Sequence, residues 1–389
     1  MLPRERYLPA AGEDIAQWHS VCYIDAGLTR LERFQTSSAS DEYHEFEERT
    51  SPDNGRTWTE RETLPGVVKD LEGGGIVTYL PGIYVDRARN RRYQIRMRRI
   101  WPGLPAYTHA WGSHRHPCND HAFAWADDEP ETLLRYEEGP EFDPENPFDA
   151  DFCATNRAYP GQAITIAPDG TAYLPLVAHP AELEAAHASG GLVVMRREPQ
   201  SSEWQASNIE FLGWERSSRG VLEPEVAVLR DGRLLTVVRA SHTATTPGRK
   251  WFSVSDDGGR GFSPFQELRY DDGSRFYSPS SIHRFIRSER NGKLYWLANI
   301  TQEPPDGNSP RYPLYIAEID EDGPAVRRDS LRLVDDRGPN EPEALQLSNF
   351  NILEDRETLD IEIYLTRLGE VADHFWQGAV YRYLFSPPA

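Results

Sequence analysis

A chain of 389 residues with a net charge of −20 is long enough to bury a large core, and too acidic for nucleic acid or an anionic membrane to be expected as a partner. No apolar run approaches the ~20 residues of a membrane span, no signal-peptide core is visible near Met1, and three cysteines are too few and odd in number for a disulfide framework. A reduced, cytoplasmic protein is therefore expected, or a secreted one if a leader has been trimmed from it.

Short β-rich runs and tight turns follow one another along the chain. The first strong turn is Ser51-Pro-Asp53-Asn54-Gly55-Arg-Thr57-Trp58. Its Gly suits a positive φ, its Asp can accept hydrogen bonds from the turn backbone, and its aromatic residue anchors the hairpin below. Residues 120–156 break the rhythm: they are acidic and Pro-rich and read as a long inserted loop. Strand-like segments resume at Ala163-Ile-Thr-Ile, Ala172-Tyr-Leu-Pro-Leu-Val and Leu192-Val-Val-Met. The stretch Pro180-Ala-Glu-Leu-Glu-Ala-Ala-His187 is the one good helical candidate. Further strands read at Leu234-Leu-Thr-Val-Val, Lys293-Leu-Tyr-Trp-Leu-Ala, Leu314-Tyr-Ile-Ala-Glu-Ile and Ile361-Glu-Ile-Tyr-Leu-Thr. The turn pattern returns 204 residues after its first occurrence, as Ser255-Asp-Asp257-Gly-Gly259-Arg-Gly-Phe262. The last strand, Gly378-Ala-Val-Tyr-Arg-Tyr-Leu-Phe385, is expected to pair with an N-terminal strand and close a ring. The fold class is all-β: a propeller of four-stranded antiparallel blades over residues 1–389 as one domain. At ~45–60 residues per blade, six blades fit, or alternatively seven.

The shared Ser-x-Asp-x-Gly-x-x-aromatic turns resemble the Asp-box of sialidases and related propellers, a fold marker that lies away from the active site. A second resemblance covers Leu222-Glu223-Pro-Glu225 through Arg239, where a Glu opens a strand, an Asp-Gly turn follows and an Arg ends the return strand. Two strands of ~6–7 residues put Glu223 and Arg239 at the same end of one hairpin. The resemblance implies that Glu223 polarises a nucleophile and that Arg239 is one of three arginines gripping a substrate carboxylate, a task that suits the planar guanidinium fork. Asn308-Ser-Pro-Arg311-Tyr-Pro is similar to the segment carrying another of these arginines, and Ser278-Pro-Ser-Ser-Ile-His283 before it is a candidate pocket lining. The chain departs from true sialidases at two points. The first grip arginine is missing, and Trp18-His19-Ser20 stands in its neighbourhood, which makes His19 a substrate-binding candidate. The strand expected to carry the nucleophilic Tyr reads Leu345-Gln-Leu347-Ser348-Asn349-Phe350, with Asn349 as a binding candidate instead. Asp41 is the candidate acid/base.

Histidine offers other chemistry. Residues 107–121 hold His109, His114, His116 and His121 beside Cys118. His114 and His116 share a face of an extended segment, and Cys118 or His121 could complete a metal set, but the spacing is no recognised zinc pattern. No metal, calcium or other cofactor is expected. As proton donors or acceptors, His116 and His121 with Arg157 and Tyr159 resemble the groups of propeller-fold polysaccharide lyases. The leading reading is a glycoside hydrolase acting on an acidic sugar, with Glu223 and Asp41 as carboxylates and Arg239 and Arg311 as the grip. A uronate-directed lyase using His116, His121, Tyr159 and Arg157, and a non-catalytic sugar-binding propeller, are the alternatives. The partner in each is a carbohydrate, expected to be anionic.

Overall fold

The computed structural model describes residues 1–80, 82–107, 118–180 and 190–389. Six antiparallel sheets are arranged around a central channel. Blade one is Ala16–Tyr23, Arg30–Ser37, Glu45–Ser51 and Glu62–Thr63. Blade two is Ile83–Asp86, Arg91–Pro102, Asn119–Ala126 and Thr132–Leu133, with the hairpin Val68–Leu71 and Gly74–Tyr79 added to the far half of its long second strand. In blade three both Ala158–Pro160 and Thr165–Ile166 pair with Ala172–Ala178, followed outward by Gly191–Arg197 and Gln205–Ala206. Blade four is Leu222–Val228, Leu234–Arg239, Lys250–Ser255 and Gln266–Glu267. Blade five is His283–Arg287, Leu294–Asn299 and Leu314–Asp320, whose outer edge takes both Ala325–Val326 and Arg332–Asp335.

Blade six closes the ring. Asn351–Glu354, Ile361–Thr366 and Val380–Phe385 receive Arg4–Leu8 as the outer strand, with Arg4 opposite Tyr383 and Leu8 opposite Val380. Arg4 Nη1 reaches both oxygens of the buried Asp335 at 3.1 Å, which ties the N-terminal strand to the preceding blade. The count is six blades rather than seven, and the pairing of the chain ends agrees with the sequence.

Strand alternation explains the seams. Along Leu234–Arg239, Leu235 and Val237 pack toward blade five with Phe252 and Trp296, while Leu234 and Val238 pack toward blade three with Tyr173 and Val194. Such a strand reads as a continuous apolar run because both faces are covered. The seam between blades six and one is polar instead: Arg30 donates to Asp355 at 2.7 Å and to Glu362 at 2.9 Å.

The two repeated turns form the same hydrogen bonds. Ser51 Oγ accepts from the Gly55 N–H at 2.8 Å and Asp53 Oδ1 from the Thr57 N–H at 2.8 Å. Ser255 Oγ accepts from Gly259 at 2.9 Å and Asp257 Oδ1 from Gly261 at 2.9 Å. Gly259 has φ 87°, and a Cβ there would meet Tyr173 Cε1 at 2.8 Å, so both backbone and packing require glycine.

One expectation needs correction. The stretch read as a loop from about residue 120 begins as the third strand of blade two, Asn119–Ala126, because its small apolar residues alternate into the blade. The irregular part lies further on and contains the short helix Ala150–Ala154, capped by Asp149 accepting from the Phe152 N–H. The helical candidate at 180–187 lies, apart from Pro180, outside the described residues.

Candidate active site

A channel of about 1520 Å³ runs between the inner strands. Its mouth is built from the segments that enter those strands and from the loops joining second to third strands. These bring Asp41, Tyr159, Arg219, Glu223, Arg239 and Arg311 to one place.

Glu223 owes its position to a bulge. Leu222 pairs with Arg239 and Glu225 with Val237, so Glu223 and Pro224 together oppose Val238. Glu223 has φ 35°, an uncommon backbone conformation for a non-glycine residue, which the flanking pairs hold in place. Blade three presses against the bulge: a Cβ on Gly161 would lie 2.1 Å from the Pro224 carbonyl oxygen. That approach brings Tyr159, two residues earlier, to the Glu223 backbone N–H.

Arg239 Nη1 donates to Glu223 Oε2 at 2.5 Å, Nε to Ser280 Oγ at 3.0 Å and Nη2 to Asn308 Oδ1 at 3.2 Å. Arg219 shares Asn308 Oδ1 at 3.3 Å. Arg311 donates to Gln346 Oε1 at 2.8 Å and to the Ser280 carbonyl at 3.3 Å. Burial opposes the charge of Glu223, but the Arg239 bond, then Arg311 and Lys250, hold its carboxyl below the usual glutamate range. Burial and the Arg239 charge pull Arg311 down to about 10, and the same two causes lower Arg219. Tyr159 moves the other way, because burial and the Glu223 charge both disfavour the phenolate. The site is thus a group of crowded guanidiniums around one ionised carboxylate.

Asp41 sits on an exposed tight turn at φ 61°, its carbonyl accepting from Tyr79 OH at 3.3 Å, and its charge is felt by Arg219 and Arg311. Tyr43 and Tyr79 stack edge to face beside it at 5.4 Å. Arg157 lines the channel and donates from Nη2 to the His179 carbonyl at 3.1 Å. Asn349 lies exposed at the channel wall at φ 57°.

The histidines are placed differently. His19 is buried between blades one and six, at the channel wall, 2.9 Å from Glu32 Oε1 and packed by Tyr7, Phe34 and Tyr364. His283 is fully buried behind blade four, with Nε2 3.1 Å from the Val237 carbonyl. His121 is fully buried against Phe152, ring centroids 4.4 Å apart, and burial brings its pKa down to about 4. Strand alternation turns His121 and His283 inward, and neither lines the channel. His109, His114 and His116 lie outside the described residues. Among the described residues no group of three or more His, Cys, Asp or Glu side chains is arranged to hold a metal ion.

Arg219 and Lys250 were not singled out in the sequence, and Asn308 and Ser280 entered it only as members of longer segments. Arg219 had a usable signal: it sits in Ser217-Ser-Arg219-Gly220, a turn with Gly220 at φ 61° that leads directly into the strand of Glu223.

At the level of sequence, no protein-family model and no curated protein matches the chain. Solved structures do match. A protein of unknown function from Dyadobacter fermentans aligns at 11% identity over 98% of both chains, with a TM-score of 0.61. A variant of the NanB sialidase from Streptococcus pneumoniae aligns at 12% identity over 98% of this chain and 70% of its own, also with 0.61. An α-L-arabinofuranosidase from Fusarium graminearum aligns at 11% identity over 97% and 96%, with 0.52. At such identities the likeness is one of fold, and it agrees with the blade count and the ring closure: this chain is a six-bladed β-propeller.

Proposed function

We propose that this protein is a glycoside hydrolase acting on an acidic sugar, whose carboxylate is gripped at the channel mouth by Arg219, Arg239 and Arg311. The observation that carries the reading is the convergence of these guanidiniums on Glu223. Crowded cations are costly unless an anion visits them, and a carboxylate matches the guanidinium fork. Sialidases among the solved structures of like fold support the same substrate class.

In this reading Glu223, kept ionised, takes the phenol proton of Tyr159 as the Tyr159 oxygen bonds to the anomeric carbon. Asp41 gives a proton to the departing glycosidic oxygen. Asp41 then takes a proton from the water that cleaves the tyrosyl–sugar bond, and Glu223 returns its proton to Tyr159. The pairing of Tyr159 with Glu223 comes from blade three rather than from the strand after Arg311. It would restore the phenol that the sequence lacks there.

A uronate-directed elimination is the second reading. It is favoured by the Tyr159 ring lying 6.1 Å from that of His179, next to Arg157. Tyr159, as the phenolate, would withdraw the proton beside the uronate carboxylate; its raised pKa disfavours that phenolate in this reading as in the first.

The test is a screen against sialosides, uronate oligosaccharides and arabinofuranosides, following reducing ends and the ultraviolet absorbance of a new carbon–carbon double bond together. Reducing ends alone are expected from an acidic glycoside, falling at least ~100-fold in Arg239→Ala. Rising absorbance would replace hydrolysis by elimination. Cleavage of neutral arabinofuranosides only would remove the carboxylate grip, and silence in both channels would leave a binding propeller.

A further inference from the structure

Lys250 stands opposite Arg239 in the register of blade four and is fully buried. Its hydrogen-bond partners are backbone carbonyls: Nζ donates to the Pro279 carbonyl at 3.3 Å and to the Ser281 carbonyl. Between those two carbonyls lies Ser280, also fully buried. Ser280 Oγ accepts from Arg239 Nε at 3.0 Å, and the Ser280 carbonyl accepts from Arg311 Nη2 at 3.3 Å. The Ser280 N–H donates to the Gly307 carbonyl at 2.8 Å, next to Asn308, which Arg219 and Arg239 share. One turn thus carries two of the arginines directly, while the buried amine fastens it from behind.

We propose that Lys250 is a positioning residue for the arginine grip: it pins the 279–281 turn and so sets where Arg239 and Arg311 present their guanidiniums. The inference rests on the reading of that cluster as the sugar-carboxylate site, but its direct test needs no substrate. An apolar side chain would fill a core position with far less desolvation cost, so the amine is explained by what it holds. Burial, then the charges of Arg239 and Arg311, lower the Lys250 pKa well below its ordinary value, with Glu223 opposing. His283, whose own pKa is lowered, is the other titratable group that feels Lys250. A neutral amine has two N–H donors, and two carbonyls are present to take them.

The test is the ¹⁵Nε–H spectrum of the arginine side chains in Lys250→Met, which keeps volume and removes both hydrogen bonds. The Arg239 and Arg311 signals are expected to move, while those of Arg30 and Arg367, in blades one and six, stay in place. Unmoved Arg239 and Arg311 signals in the folded variant would overturn the proposal. If Lys250→Met does not fold, Lys250→Gln, whose shorter stem cannot reach the turn in the same way, is read by the same criterion. With a cleaved acidic glycoside in hand, KM is expected to rise about tenfold and kcat to change much less. An unchanged KM would sink the positioning role. Should the wild type cleave no acidic glycoside while the arginine signals still move, the hydrolase reading fails and the positioning of the two arginines stands.

Discussion

Glu223 and Glu225 lie two residues apart on the inner strand of blade four, both beside the channel and both next to an arginine, yet they are pushed in opposite directions. Glu223 bonds Arg239 at 2.5 Å, feels Arg311 and Lys250 as well, and is held below the usual glutamate range. Glu225 has one close cation, Arg284, whose Nε lies 3.2 Å away, and burial raises its pKa to about 7. Its side chain is 3% exposed, against 24% for Glu223. Burial wins where a single, longer ion pair opposes it, and loses where several cations gather. The mouth is therefore a place where a carboxylate stays charged, and the neck of the channel one where a carboxylate readily takes a proton.

The largest expected effect separates the two by activity. On a substrate identified by the screen, Glu223→Gln is expected to lose at least ~1000-fold in kcat, because it removes the ionised partner of Tyr159. Glu225→Gln is expected to stay within about tenfold of wild type. If the two variants lose activity equally, the chemistry does not belong to the mouth.

Much of this comparison was hidden in the sequence. The hairpin from Glu223 to Arg239 was legible because a sixteen-residue separation across two short strands is set by local geometry. The strands at 234–238, 314–319 and 361–366 were legible because at least one face of each is apolar and β-branched or aromatic residues recur along them. What the sequence does not display is assembly across blades. Arg219, Arg239 and Arg311 meet only because Asn308 and Ser280 cross from blade five toward blade four. Tyr159 meets Glu223 only because Gly161 lets blade three close on Pro224. The burial of His121 and His283 was hidden for the opposite reason: a polar residue type suggested an open position, while strand alternation turns both rings into the core.

The neck carboxylate gives the next effect, read as stability against pH. A raised folded-state pKa means that the folded protein binds the extra proton, so this contribution is full below the unfolded glutamate value and is lost as pH rises through about 7. The span from the ordinary glutamate value to about 7 corresponds to about 3 kcal/mol. Glu225→Gln, which imitates the protonated form, is expected to match wild type in denaturant unfolding near pH 4. Above pH 7 it should be more stable by up to that amount. Equal stability at both ends would mean that Arg284 compensates the burial of Glu225 in full.

The smallest effect asks what keeps Glu223 charged. A lowered folded-state pKa lets Glu223 stay ionised to lower pH, so the acid limb of kcat/KM lies below the ordinary glutamate range when this carboxylate limits the rate. Arg311→Gln removes one of the surrounding cations and leaves the Arg239 bond intact. It weakens the grip and so raises KM, but that change moves the height of the profile and not its limb. The discriminating readout is the limb position, which is expected to shift to higher pH because burial then meets less opposition. A limb that stays in place would assign the charge of Glu223 to the Arg239 bond alone. The contrast with Glu225 would then reduce to one short bond against one longer ion pair, rather than to the number of cations at the mouth.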